Sequence, residues 1–474
     1  MLSMIYGALV SHWVTIHGLT VMVGLSIYLT TSHTLHLRRH PTAAIGWVVA
    51  LAVLPYITLP LYLMFGIRKV KSSRPAARLV EFSTPGPSPD ALSAQTQKLA
   101  GVMALPAAAS YDLLNIHEDG TQALQCLRRM IDSATRTIDL STFIFAKDGL
   151  GDELAQRLKR RAQAGVRVRL LIDGIGAYLG GLTDFKGLSA AGVQVVFFVP
   201  PLRSSMRGRT NLRNHRKLVI ADGEWLWSGG RNLAGEYFEG DATAAAGKLA
   251  WIDLSFDLHG ALALQAQQQF EQDWSFAALE DNPVPLTPIN LDLQSGASIG
   301  QLIASGPDQA DDTYYAILVS SFFNARKHIL AATPYFVPNT TLLMSMTLAA
   351  RRGVKVDLIM PQKSNHLLAD LARHRALREL VAAGAHIWIL PHMIHAKAVV
   401  IDDELAMVGT ANLDERSLFL NYELMVSFYD SKDVRRFSEW LARQQAAAEP
   451  YRVKPLSFWR ELAEGLLLWL AFQL

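Results

Sequence analysis

The sequence predicts an α/β protein: two pseudo-symmetric α/β halves behind an N-terminal two-helix transmembrane hairpin. Three observations carry this expectation. Two long uncharged apolar runs open the chain, a set of strand and helix patterns occurs twice, and a His-x-Lys-x4-Asp skeleton stands once in each copy. At 474 residues the chain is long enough for two or three domains. Half of it is hydrophobic and only 18% is charged, a balance shifted toward the apolar side of ordinary globular composition.

The hairpin comes first. No Asp, Glu, Lys or Arg precedes Arg38, and none lies between Arg39 and Arg68, which leaves apolar runs at 4–29 and 43–67. Each is long enough to cross a bilayer core as a helix, which takes about 20 residues. The first run lacks the basic start and small-residue cleavage site of a signal peptide, and a second run follows it, so both are read as retained. Pro55 and Pro60 in the second run mark a kink or a re-entrant turn. Arg68, Lys69, Lys71, Arg74 and Arg78 follow the second run, against Arg38 and Arg39 in the connection. That asymmetry expects the large C-terminal part on the cytoplasmic side.

A linker is expected over 72–110, rich in Pro, Ser and Ala without sustained apolar period. The first α/β half then runs over 111–278, a second linker over 279–298, and the second half over 299–456. RTIDLSTFIF (136–145) parallels KHILAATPYF (327–336), and AGVRVRLLID (164–173) parallels RGVKVDLIMP (352–361). VQVVFFVP (193–200) and AHIWILP (385–391) are the next strands of each copy. Copies this long exclude a solenoid of short repeats, and paired domains favour a site at their shared interface. The end, 457–474, reads as an amphipathic helix that lies in the membrane interface or packs on the body.

The doubled motif carries the chemistry. NHRKLVIADGEWLWSGGRN (214–232) and IHAKAVVIDDELAMVGTAN (394–412) share a histidine, a lysine, an aspartate, a glycine and an asparagine at matched spacing. Their β-branched runs read as strands, so His215 and Lys217 share one face, as do His395 and Lys397. An imidazole is both nucleophile and proton carrier near neutral pH, and lysine and asparagine donors suit the oxygens of a phosphodiester. Two copies supply one histidine to attack and one to protonate the departing oxygen; which attacks first stays open. A lysine beside each histidine would repel a metal, so no metal is expected there. Asp222 and Asp402 close the motif at the strand ends, where they either join the chemistry or fix the turn. Gly230 and Arg231 stand where the second copy has Thr410 and Ala411, so phosphate contacts are expected to differ between halves.

A net charge of +3 is too small to imply a nucleic-acid partner. Arg203, Arg207, Arg209 and Arg213 on the segment before the first motif either attract anionic lipid headgroups or stay solvated. The single cysteine, Cys126, excludes an intrachain disulfide and reads as a buried structural residue.

With NHRKLVIADGEWLWSGGRNL, WIDLSFDLHG (251–260) and IHAKAVVIDDELAMVGTANLDERSLFLNYE (394–423) in view, the chain resembles the phospholipase D superfamily, named for its paired HKD motifs. Within it, the two apolar runs make the chain similar to the bacterial cardiolipin synthase family. The resemblance covers about 111–443. It implies two phospholipase D-like domains, with His215 taking a phosphatidyl group as a phosphohistidine and His395 protonating the leaving glycerol, then serving as base. It also implies that Lys217, Lys397, Asn232 and Asn412 hold phosphate oxygens, and that the reaction needs no metal or other cofactor. A carboxylate is expected on the far ring nitrogen of each histidine, Asp253 for His215 and Glu423 for His395. The implied substrate is phosphatidylglycerol, with other anionic phospholipids as partners, at the bacterial inner membrane in a multi-pass arrangement. A hydrolytic phospholipase D, using water as acceptor, is the alternative; a nuclease of the same chemistry is a further one.

Overall fold

The computed structural model describes residues 2–34, 41–66, 69, 91–200, 211–239, 250–279 and 298–453. The segments 72–90 and 280–297, the C-terminal stretch 457–474, and Arg203, Arg207 and Arg209 lie outside them.

The N-terminal unit corrects the expected hairpin in one respect. Its first helix, Leu2–Thr34, contains a stretch, His12–Ser32, long and apolar enough to cross a membrane. The second run is two helices, Pro41–Val53 and Pro55–Phe65. Leu54 breaks it with φ −130° and ψ 55°. The residue before a proline is pushed out of the helical region, and Pro55 then starts the next helix at a position where no backbone donor is missed. At about 1.5 Å rise per residue neither piece alone spans a hydrocarbon core of about 30 Å. Tyr28, Leu51 and Tyr62 pack together, and the Thr31 and Tyr62 hydroxyls are 2.5 Å apart, so the three helices form one small cluster.

In the α/β body the repeat is written into the sheet order. The first half contributes, in spatial order, Ala109–Ile116, Ser255–His259, Trp225–Gly229, Leu218–Ala221, Thr137–Thr142, Arg167–Asp173 and Gln194–Phe198. The second contributes Ser298–Ser305, Asn421–Phe428, Leu405–Gly409, Ala398–Ile401, His328–Ala332, Lys355–Pro361 and His386–Leu390 in the same order. The two series meet where Ala109–Ile116 pairs antiparallel with Ser298–Ser305, Tyr111 opposite Ser298. The two expected domains are therefore halves of one sheet, 16-stranded among the described residues.

Each half keeps its own core. Helix Gly120–Ser133, capped by Asp119 accepting from the Gln122 amide, buries Ala123, Leu124, Leu127, Met130 and Ile131 at helical spacing against the first half's strands. Helix Thr313–Asn324 does the same in the second half with Tyr314, Ile317, Leu318 and Phe322. The stretch read as linker contains a helix, Leu92–Val102, whose Leu92 and Ala100, with Leu105 beyond it, join the second half's core. The Leu92 amide also donates to Glu404 at 3.0 Å. LSAQTQKLAGV carries too few large apolar residues to announce itself, so tertiary packing decides this helix.

Candidate active site

Each catalytic segment is laced to the opposite half. The two-residue strand Arg213–Asn214 pairs in parallel with Asn421–Phe428, and the His215 amide donates to the Tyr422 carbonyl at 2.9 Å. In the mirror arrangement Ile252 bridges to Ile394, and the His395 amide donates to the Ile252 carbonyl at 2.6 Å. Both histidines are thereby carried across the seam.

The carboxylates are consequently exchanged relative to expectation. His215 Nδ1 lies 2.9 Å from Oε2 of Glu423 and 3.0 Å from Oε1. His395 Nδ1 lies 2.8 Å from Oδ2 of Asp253. The expected pairs, Asp253 with His215 and Glu423 with His395, assumed that each half is self-contained, whereas the parallel backbone lacing brings each histidine beside the other half's acid. With Nδ1–H committed to a carboxylate, each Nε2 keeps its lone pair, that of His395 facing Lys397 Nζ.

The lysines sit on the same face as their histidines, as the strand period requires. Lys217 Nζ donates to the His215 carbonyl at 2.9 Å, and Lys397 Nζ lies 2.9 Å from His395 Nε2. The four cationic candidates act on one another across the seam. Burial pushes His215 down to about 4, with Lys217 and Lys397 pushing the same way against Glu423. Burial, with Lys397, pushes His395 down to about 3 against Asp253. Lys217 falls to about 7 and Lys397 to about 8, both chiefly by burial. Burial works to raise Glu423 and Asp253, yet the hydrogen-bonded histidine and the lysine beside each, with the Thr410 hydroxyl at Glu423 and Arg231 at Asp253, hold both below their ordinary values. At neutral pH the site thus holds two neutral imidazoles on two ionised carboxylates.

The flanking residues account for the departure between the copies. Thr410 donates its hydroxyl to Glu423 Oε2 at 2.5 Å and accepts the Leu424 amide at 2.9 Å, so it serves the carboxylate. At the equivalent place Gly230 clears room for the other acid, since a Cβ there would fall 2.2 Å from Asp253 Oδ1. Arg231 is buried and donates to the Tyr237 carbonyl and the Ser255 hydroxyl. Asn232 donates to the Tyr237 hydroxyl at 2.8 Å, and Asn412 donates to Ser417 at 3.2 Å.

Asp222 and Asp402 are placed away from this chemistry. Asp222 accepts the amides of Thr135, Arg136 and Thr137, and Asp402 those of Arg326, Lys327 and His328. Both adopt φ 54° at the strand end, so the motif's aspartates tie its turn to the start of the neighbouring strand. Their place among the catalytic candidates is not kept.

A pocket of about 220 Å³ opens beside His215, lined among others by Phe143, Arg213, Tyr335, Asn412 and Arg416. His395 lies deeper, between Tyr237 and Trp251 at ring distances of 5.1 and 5.5 Å. Motif reading missed Phe143, Tyr335 and Tyr237. The first two follow the paired TIDLST and HILAAT segments, where Thr142 and Thr333 each bond the carbonyl two residues on, and that local repeat was the available signal.

Comparison with known proteins then decides the family. The model described as cardiolipin synthase, PLD-like domain matches residues 127–274 and 318–444, more than half of the chain. The chain belongs to the cardiolipin synthase family of phospholipase D-like proteins. The Phospholipase D-nuclease N-terminal model matches residues 23–66. Among this family's members, cardiolipin synthase A of Pseudomonas aeruginosa is 30% identical over 86% of this chain and 86% of its own. A cardiolipin synthase of Halalkalibacterium halodurans is 29% identical over 87% of this chain and 83% of its own. Among solved structures, a phosphatidylserine synthase of Haemophilus influenzae superposes with a TM-score of 0.60 at 14% identity, covering 80% of this chain and all of that one, a likeness of fold. The family is membrane-associated, and the N-terminal apolar helix agrees with a membrane protein.

Proposed function

We infer that this chain is a cardiolipin synthase, transferring a phosphatidyl group between two phosphatidylglycerol molecules and releasing glycerol. The observation that carries the reading is the unequal exposure of two otherwise matched histidine–carboxylate pairs: the His215 side chain is 13% exposed and lines the pocket, while that of His395 is 4% exposed. His215 Nε2 attacks phosphorus of the first lipid, and the bond from phosphorus to the headgroup glycerol oxygen breaks as His395 gives that oxygen a proton. His395, neutral in the resting site, takes that proton up from solvent as the diester binds, because the diester's negative charge opposes the push of Lys217 and Lys397 that keeps the free ring neutral. A hydroxyl of the second phosphatidylglycerol then gives its proton to His395 and attacks phosphorus, and His215 leaves neutral. Lys217, Lys397 and Asn412 bind the phosphoryl oxygens. Asn232 is assigned the same role in the first half, with Tyr237 orienting its amide. Glu423 and Asp253 stabilise the charged imidazoles.

Lipid fits the pocket mouth. Leu179 is exposed and lines the pocket, its neighbours Tyr178 and Leu182 are exposed, and so are Leu367, Leu368 and Leu371 around the pocket-lining His366 and Ala369. Exposed apolar groups at a pocket rim suit acyl chains. The N-terminal segments are assigned a multi-pass anchor at the inner membrane with the body on the cytoplasmic side, from the basic residues that follow them.

Incubating the purified protein with headgroup-labelled phosphatidylglycerol in mixed micelles, beside a His215→Ala control, tests this reading by mass spectrometry. Cardiolipin and free glycerol are expected, absent in the control. Phosphatidic acid alone would make water the acceptor and the enzyme a phospholipase D.

A further inference from the structure

Outside the histidine pair, a second cluster of metal-ligating groups gathers from three elements. His117 follows strand Ala109–Ile116, Cys126 lies on helix Gly120–Ser133, and Asp257 lies on strand Ser255–His259. All three residues are buried, and one ligand atom from each lies within 4.8 Å of the others. His117 Nε2 is 3.2 Å from Asp257 Oδ1, yet neither atom makes an aligned hydrogen bond among the described residues. The Cys126 thiol faces the same carboxylate, and burial and the Asp257 charge push it up, so the three groups converge without ideal hydrogen-bond geometry among them. The other oxygen, Oδ2, accepts from Trp225 Nε1 at 2.9 Å and Asn115 Nδ2 at 3.2 Å, which fixes Oδ1 toward the imidazole and the thiol. A cavity of about 560 Å³ adjoins the three and offers an entry path.

We propose that His117 Nε2, Cys126 Sγ and Asp257 Oδ1 bind a divalent transition metal of the zinc class, at a site that uses none of the residues of the histidine pair. One nitrogen, one sulfur and one oxygen ligand match the borderline-soft preference of zinc, with water from the cavity in the fourth position. Bond lengths of about 2.0–2.3 Å place tetrahedral ligands roughly 3.5 Å apart. The imidazole and carboxylate stand 3.2 Å apart, close to that separation, and the Cys126 Sγ lies within 4.8 Å of both. On binding, the thiol proton passes to solvent, and thiolate and carboxylate together neutralise the ion. Trp225 and Asn115 are the outer partners such a carboxylate needs. The ion would clamp the helix and two strands together. One of these strands follows directly from Asp253, the partner of His395.

Cobalt(II) titration of the full-length protein in detergent, stripped beforehand with a chelator, tests this. Because Cys126 is the only cysteine, a thiolate-to-cobalt charge-transfer band reports on this cluster alone. The expected result is a band that saturates at one equivalent, is displaced by zinc, persists in His215→Ala and His395→Ala, and is lost in Cys126→Ser. His117→Ala and Asp257→Asn should weaken affinity by ten-fold or more, and zinc should raise the melting temperature of wild type but not of Cys126→Ser. Cobalt binding without the charge-transfer band, or no binding by calorimetry, would overturn the proposal. The wild-type spectrum decides this even where a variant fails to fold.

Discussion

His215 and His395 are matched in sequence yet unequal in surroundings, and two predictions rest on that inequality. If Glu423 orients the nucleophile and Asp253 the acid, Glu423→Gln and Asp253→Asn should each lower kcat by roughly a hundred- to ten-thousand-fold, as loss of an orienting acid does in triads. A phosphatidyl donor with a nitrophenol headgroup, which departs without a proton, should restore the first step in Asp253→Asn but not in Glu423→Gln. Equal rescue of both variants, or rescue of the opposite one, would reverse the assignment. The second prediction concerns pH. His215 must be neutral to attack, so kcat/KM should fall as pH drops toward about 4, where its ring protonates. Lys217 and Lys397 must be charged to hold phosphate, and their values of about 7 and 8 predict an alkaline decline beginning near neutrality. A rate profile flat from pH 6 to 10 would contradict the lysine roles.

At the scale of elements, helix Leu92–Val102 shows how little local signal a structural element needs when a core receives it. Leu105, just beyond it, is 6% exposed in the second half's core. Leu105→Ala should therefore destabilise the body by about 2–5 kcal/mol, measurable by denaturant unfolding, whereas a true linker residue would tolerate the change. The strand-end aspartates make a contrasting case. Because Asp222 collects three backbone amides, Asp222→Ala should lower the melting temperature while the turnover of the remaining folded enzyme stays near wild type. Loss of turnover at unchanged stability would return Asp222 to the chemistry.

For the whole molecule, the seam between Ala109–Ile116 and Ser298–Ser305 makes the catalytic body one sheet with two cores. Each half holds a histidine whose carboxylate belongs to the other. Separately expressed halves should accordingly be inactive, and the intact body should melt in one transition by calorimetry; two independent transitions would show that the seam is weak. Deleting 1–71 should move the protein out of the membrane fraction, and unchanged tight association would shift anchoring to the body or the C-terminal segment.

The sequence by itself determined the α/β class, the twofold repeat, the apolar N-terminus and the identity of the histidines and lysines. These are properties of local pattern: strand alternation puts His215 beside Lys217, and uncharged runs announce apolar helices. Even the two acids that contact the histidines were legible, as the carboxylates of WIDLS and NYE. What only the tertiary structure decided was their pairing, because Arg213–Asn214 adds to a strand more than two hundred residues away, and no local pattern encodes such a partner. The choice of the turn role for Asp222 and Asp402 and the service of Thr410 to Glu423 belong to the same class, whereas the break at Leu54 is local, signalled by Pro55. The charge states follow from burial as well: a histidine and a lysine two residues apart are ordinary in sequence, and it is their removal from water, with two lysines facing two carboxylates, that makes both imidazoles neutral in the resting site.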